Sequence, residues 1–224
     1  LLKRGEADAA ICGAVGRFER HLAHVDNIIG RREGVSQLGT MSAMVLPTGT
    51  LFLCDTYVNY DPTAWQLADI TVLAAEQVRR FGVVPKVALL SHSNFGTSEN
   101  ESARKMRHVL ELVRDRAPEL DVEGEMKADA ALSTFICEEL FPNSRLKGPA
   151  NLLIMPTLDA ANIAFNMLKV LGNGVAVSPI LLGAASPMHI VTPSITVRGL
   201  FNMSALAVVD AGRAESKAAA ATTQ

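Results

Sequence analysis

VALLSHSNFGTSENESARKMRHVLELVRDRAPELDVEGEM, residues 87–126, is the stretch whose reading decides the fold. Residues 87–90 are apolar without interruption, as in a buried strand; a polar loop, a long amphipathic helix and a second strand opening near Asp121 follow. The loop carries Ser91, His92, Ser93, Asn94, Gly96, Thr97 and Ser98. It lies at the carboxyl end of a strand, where open α/β sheets hold ligands. Ser98 reads as the N-cap of the helix, with Glu101 three positions on completing a capping box. Ala103, Met106, Leu110, Val113 and Ala117 recur at helical spacing and form the core stripe. Arg104, Lys105, Arg107, His108, Glu111 and Arg114 fall on the other face, which reads as solvated. Arg114 and Arg116 complement the helix dipole, and Pro118 stops the helix. Free N–H groups beside hydroxyls and a glycine would form a cradle for phosphate or carboxylate. No Gly-Lys-Ser/Thr follows, so this is not a Walker loop, and an ordinary capped helix is the competing reading.

Outward from this unit the alternation continues. Residues 9–15 read as a buried strand, with Gly13 and Gly16 leaving room for a close neighbour. A helix over 18–29 carries Leu22, Val25 and Ile29 on one face and stops at Gly30. GTMSAMVLPTGTLFLCDT reads as two strands around Pro47-Thr48-Gly49, an antiparallel hairpin. Asp61 and Pro62 open the next helix as N-cap and first residue, and Leu67, Ile70, Ala74, Val78 and Phe81 form its stripe up to Gly82. Trp65 reads as a packing anchor. Later come a helix over 128–140, a strand over 151–155, a helix over 159–171 ended by Gly172, strands over 174–182 and 189–191, and a helix over 197–211. Residues 212–224 read as a frayed tail, and there is no internal repeat. The class is therefore α/β with a mostly parallel sheet and one antiparallel hairpin.

Composition narrows the function. With 224 residues, 49% hydrophobic, 20% charged and a net charge of -2, the chain can bury a sizeable core. It lacks the basic excess of a general nucleic-acid binder. Cys12, Cys54 and Cys137 lie far apart in apolar settings without zinc spacing, which reads as reduced, buried thiols of a cytoplasmic protein. No apolar run is long enough for a membrane span, and charges interrupt the first segment, unlike a signal peptide. There is no dinucleotide fingerprint and no acidic cluster suited to a divalent metal.

The ordered segments GEADAAICGAV, FLCDTYVNYDPTAWQLADI, VALLSHSNFG, GEMKADAAL, KGPANLLIMPTLDAANIAFNML and SPILLGAASP together resemble the phosphate acetyltransferase and phosphate butyryltransferase family over about residues 2–211. SHSNFG with EGEMKADAAL resembles the version of that domain found at the carboxy end of large bacterial NADP-dependent malic enzymes. The resemblance implies a three-layer, two-lobed fold, related to isocitrate dehydrogenase, around a cleft for coenzyme A thioesters. Residues 1–25 and 179–211 would belong to the first lobe and 26–178 to a second, dimer-forming lobe. Leu1 is not an initiating residue, and the family domain is longer at its amino end. The chain is thus expected to be a fragment lacking the front of the first lobe.

Active members of the family carry a Ser-Arg pair, an aspartate six residues past that arginine, and a further arginine. In register these positions fall here at Thr192, Pro193, Gly199 and Ala23. Acyl transfer to phosphate brings a dianion to a carbonyl whose oxygen becomes negative, so fixed cations and a carboxylate base are the natural machinery. Pro193 and Gly199 supply neither, and no catalytic residue is expected. The ligand-binding residues implied are Ser91, Ser93, Asn94, Gly96, Thr97, Ser98, Gly183, Thr192 and Ser194. Asp129, Asp159 and Asn162 lie in family motifs, Asp159 equally suited to helix capping, and His92 and His189 are candidate polar contacts. The leading expectation is a disabled transferase domain that binds acetyl-coenzyme A as effector of a malic enzyme and mediates homo-oligomerisation. NADP and Mg or Mn would belong to the malic enzyme body. A working phosphate acetyltransferase and a purely structural oligomerisation module are the alternatives.

Overall fold

The computed structural model describes residues 1–222, with side chains described as far as residue 212. After a 3-10 turn at Leu2–Arg4, the order is β1 (Ala10–Cys12), α1 (Phe18–Ile28), β2 (Gly39–Leu46), β3 (Gly49–Cys54), α2 (Ala64–Arg80), β4 (Lys86–Leu90), α3 (Glu101–Arg116) and β5 (Asp121–Met126). Then follow α4 (Ala128–Leu132), α5 (Thr134–Leu140), β6 (Leu152–Ile154), α6 (Leu158–Leu171), β7 (Val175–Leu182), β8 (Met188–Ile190) and α7 (Val197–Thr222). Six strands form the main sheet in the order β5-β4-β6-β3-β2-β7, while β1 and β8 pair in parallel as a small separate sheet. Within the main sheet β2 alone runs against its neighbours, antiparallel to β3 and to β7. The remaining pairs are parallel.

Alternation along the strands builds three layers. Met41, Phe52, Val87, Leu89, Leu152 and Ile154 face a core with the stripes of α2 and α3, Leu67, Ile70, Met106 and Val113 among them. Met44, Leu53, Ala88 and Leu153 face the opposite core, with Phe165 of α6 and Ala130 of α4. Phe52 is fully buried and meets Phe81 edge-on at 5.3 Å, so it contributes on the order of 2–3 kcal/mol by burial. A third cluster, Val25, Leu38, Leu181 and Ile190, seats α1 on the small sheet. β1 and β8 meet so closely that a Cβ on Gly13, at φ +102, would lie 2.2 Å from the Val191 carbonyl oxygen.

Several local expectations are corrected. The N-cap position of α3 is Asn100, not Ser98, and no side chain caps it; Ser98 Oγ instead accepts from the Asn100 amide at 3.2 Å. In α2 the N-cap is Thr63, which forms a capping box with Gln66, and Asp61 lies outside the helix, paired with Lys105 at 2.7 Å. The helix expected over 128–140 breaks at Ser133, whose hydroxyl caps the second piece. Trp65 is not a buried anchor: it is 58% exposed, with the Arg116 guanidinium 5.0 Å above its ring. The last helix continues past Ala211 to Thr222, so helical backbone replaces most of the expected frayed tail; residues 223–224 lie outside the described residues. All three cysteines are free, but Cys12 is only partly buried.

Candidate functional site

The loop after β4 is organised by a carboxylate beneath it. Glu125 is fully buried, and its Oε1 accepts from Ser93 Oγ at 2.8 Å, the Gly96 amide at 3.0 Å and Arg107 Nη1 at 3.2 Å. Arg107 also donates to the Ser98 carbonyl at 2.8 Å. Asn94 Oδ1 receives the Lys127 amide at 2.7 Å, Thr97 Oγ1 receives the Asn94 amide at 3.3 Å, and His92 Nε2 lies 3.2 Å from Ser98 Oγ. The donors expected to cradle an anion are thus turned inward around a buried negative charge. The basic face of α3 is not simply solvated either, because Arg107 reaches Glu125 and Arg114 reaches buried Glu123 at 3.0 Å. A buried carboxylate needs such a partner, and sequence spacing alone does not show which face holds one.

Thr192 and Ser194 sit elsewhere, in a cavity of about 340 Å³ between the start of α7, the end of α6 and the first half of β7. The Asp55 carboxylate shapes one wall. It accepts from the amides of Thr40, Tyr57, Val58 and Asn59 at 3.0–3.2 Å and from the Thr40 hydroxyl, closing the turn that presents Tyr57. A buried hydroxyl chain, Thr56 to Ser42 at 2.7 Å and Ser42 to Ser178 at 2.6 Å, leads to the same wall, where the β2–β7 register slips between Met41 and Ala43. Opposite, Thr192 Oγ1 lies 3.1 Å from Ser194 Oγ, and Thr196 Oγ1 caps α7 by accepting from the Gly199 amide at 3.0 Å. Arg198 in the first turn of α7 and Lys169 in the last turn of α6 complete the lining. Neither cation has a carboxylate partner among the described residues.

Among the described residues the lining holds no carboxylate and no imidazole. Burial pushes the Tyr57 phenol up, only partly offset by its hydrogen bond with Ser178, so at neutral pH it is a neutral hydrogen-bonding group rather than a base. Two cations, several hydroxyls and an aromatic ring can hold an anion. Pro193 is exposed, and Gly199 is packed so that a Cβ would lie 3.0 Å from the Ile195 side chain.

The other expected residues are dispersed. Ala23 is exposed on α1 and lines no cavity described here. Gly183, at φ +85, and His189 border a separate cavity at the far end of β7. Asn162 donates to the Thr56 carbonyl at 3.1 Å, Asp129 accepts from the neighbouring Ala130 amide at 2.8 Å, and Asp159 is exposed in the first turn of α6, whose cap is Thr157. Sequence reasoning passed over Tyr57, Lys169 and Ser178. Tyr57 and Ser178 stood inside quoted family segments, whereas Lys169 is a lone basic residue ending a helix and gave no signal. Among the described residues no group of His, Cys, Asp and Glu is placed to hold a metal ion, and no helix is long and apolar enough to cross a membrane.

The α/β fold is that of the phosphotransacetylases, and the chain belongs to the phosphate acetyl/butaryl transferase family, whose pattern it matches over residues 1–208. Within that family its similarity points to one branch: it is 54% identical over 212 residues to the carboxy-terminal part of the NADP-dependent malic enzyme of Escherichia coli, covering 94% of this chain and 28% of that protein. The NAD-dependent malic enzyme of Rhizobium meliloti is 51% identical over 209 residues, 93% of this chain and 27% of that protein. The chain therefore spans little more than a quarter of these relatives. Among solved structures, a phosphotransacetylase from Streptococcus pyogenes superposes with a TM-score of 0.89 at 29% identity, covering 96% of this chain and 65% of that one.

Proposed function

We propose that this chain is a catalytically disabled transferase-like regulatory domain of an NADP-dependent malic enzyme, one that binds acetyl-coenzyme A in the pocket at the start of α7. The observation that carries the reading is the content of that pocket. Among the described residues Lys169 and Arg198 are cations without a carboxylate partner, suited to the phosphates of coenzyme A, no base lines the wall, and positions 193 and 199 are proline and glycine. Binding survives such losses more readily than chemistry, because the charge that develops during transfer needs donors aimed at it. An effector acts only through different affinity for two states of the whole enzyme, so the domain would couple the pocket to oxidative decarboxylation of malate in the enzyme body, where NADP and Mg or Mn would bind. Self-association of the segment 26–178 belongs to the same proposal and is supported by the exposed apolar stripe Ile163, Met167, Val170 and Leu171 on α6.

The test is titration calorimetry of acetyl-coenzyme A into the intact polypeptide that contains this chain, with a thioester-to-phosphate assay and malate oxidation followed on the same samples. Binding without acyl transfer, together with a change in malate oxidation, is expected. Acyl transfer at about 1–1,000 per second would identify a working transferase instead. No binding would leave oligomerisation as the better account.

A further inference from the structure

At the opposite end of β7 lies a larger cavity, about 510 Å³, that shares no lining residue with the pocket at α7. We propose that it is a second binding site, for an anionic small molecule whose phosphate or carboxylate is held by guanidinium groups and whose body rests on aliphatic walls. The volume is within the usual range for ligand sites, roughly 300–1,000 Å³. Leu73, Leu182 and Met188 supply the apolar wall.

The polar groups in this cavity are arranged so that the carboxylates are already matched and donors remain. Asp210, 6% exposed, accepts from Arg80 Nη1 at 3.1 Å and from Gln77 Nε2 at 3.4 Å. His189, 1% exposed, accepts the Leu181 amide on Nδ1 at 3.3 Å, which turns Nε2 toward Asp210. That nitrogen stands 3.3 Å from Asp210 Oδ2, an ion-pair distance without the alignment of a hydrogen bond. Burial alone would raise the Asp210 carboxyl, but His189, Arg80 and Gln77 outweigh it and hold the carboxyl below its ordinary range. Glu76 is likewise paired, with Arg32 at 2.8 Å. Among the described residues Arg79 meets only exposed Glu119, loosely at 3.7 Å, and the Ser186 hydroxyl has no side-chain or backbone partner. Arg32, Arg79 and Arg80 against Glu76 and Asp210 leave one positive charge in excess before His189 is counted. A cation would have to displace an existing arginine to reach a carboxylate. An anion needs no displacement: it completes Arg79 and Ser186 and adds to the forks of Arg32 and Arg80.

The experiment titrates pyrophosphate, ADP and malate separately into the intact polypeptide at constant ionic strength, read by calorimetry and by the unfolding midpoint. Arg79→Glu is expected to weaken the binding probe at least tenfold, and Ser186→Leu, which fills the cavity from the other side, to do the same without a charge change. Lys169→Glu, in the α7 pocket, is expected to change it less than twofold. A preference for pyrophosphate or ADP identifies a phosphate site and a preference for malate a carboxylate site; either supports the proposal. It is overturned if none of the three binds, if chloride produces the same shift, or if Lys169→Glu rather than Arg79→Glu abolishes binding. Acetyl-coenzyme A titrated into Arg79→Glu separates the two pockets. Retained affinity there, with lost pyrophosphate affinity, holds for two sites, and failure of either leaves the other standing.

Discussion

The loop after β4 and the segment leading into α7 are both rich in hydroxyls, both stand between a strand and a helix, and they do opposite things. In the first, Ser93, the Gly96 amide and Arg107 converge on the fully buried Glu125, so the donors are occupied before any ligand arrives. In the second, Thr192, Ser194, Arg198 and Lys169 surround open space with no acid among them. Composition does not separate these cases. What separates them is whether a counter-charge lies within the fold, and for the loop it comes from β5, about thirty residues along the chain.

The sharpest way to break this contrast is to remove Glu125. Glu125→Ala leaves Arg107 and the loop donors without their shared acceptor, and a loss of about 3–5 kcal/mol is expected in urea unfolding. A loss below about 1 kcal/mol would mean that the loop does not depend on that carboxylate. Next in size, Lys169→Ala combined with Arg198→Ala should weaken acetyl-coenzyme A binding by about 10–100-fold, or 1.4–2.8 kcal/mol, with the unfolding midpoint unchanged. Ser98→Ala in the loop should leave that affinity within twofold; equal sensitivity of both regions would erase the distinction.

A pH series carries the comparison to Asp210, another buried acid with partners. Its carboxyl is held below the ordinary range by His189, Arg80 and Gln77 against the effect of burial, so its contribution is complete above the unfolded-state value of about 3.9 and is lost as pH falls through the lower folded value. The stability difference between the chain and Asp210→Asn should therefore be constant from pH 7 to about 5 and shrink toward pH 2, and a difference that grew with acidity would reverse the sign. The smallest effect is expected at Trp65. With more than half its surface exposed and one arginine over the ring, Trp65→Ala should cost about 1 kcal/mol or less.

Much of the fold was legible because it rests on periodicity. The stripes of α2 and α3, the hairpin at Pro47-Thr48-Gly49 and the parallel strands were visible as spacing, and the structure places them so. The helix starts were less legible: Ser98 and Thr63 are both competent caps, and which hydroxyl meets an amide depends on how the preceding loop is held. The break at Ser133 was legible in principle, since a serine followed by Thr134, Phe135 and Ile136 can end one helix and cap the next. The pocket was half visible. Thr192 and Gly199 came from register with a family pattern, but Lys169, Tyr57 and Ser178 arrive from separate elements, and only packing brings them together. Likewise Arg107 and Arg114 looked like a solvated face because their partners lie on β5, beyond the reach of helical spacing.

Gly13 carries a consequence for how substitutions in this domain would be interpreted. Any side chain there would collide with the carbonyl of Val191, the residue immediately before Thr192, and the collision could be relieved only by moving the strand that delivers Thr192 and Ser194 to their pocket. In a selection for effector response, position 13 would therefore score as intolerant and be mistaken for a contact residue. Its intolerance would instead report the clearance between two backbones, inherited by a pocket to which it contributes no atom.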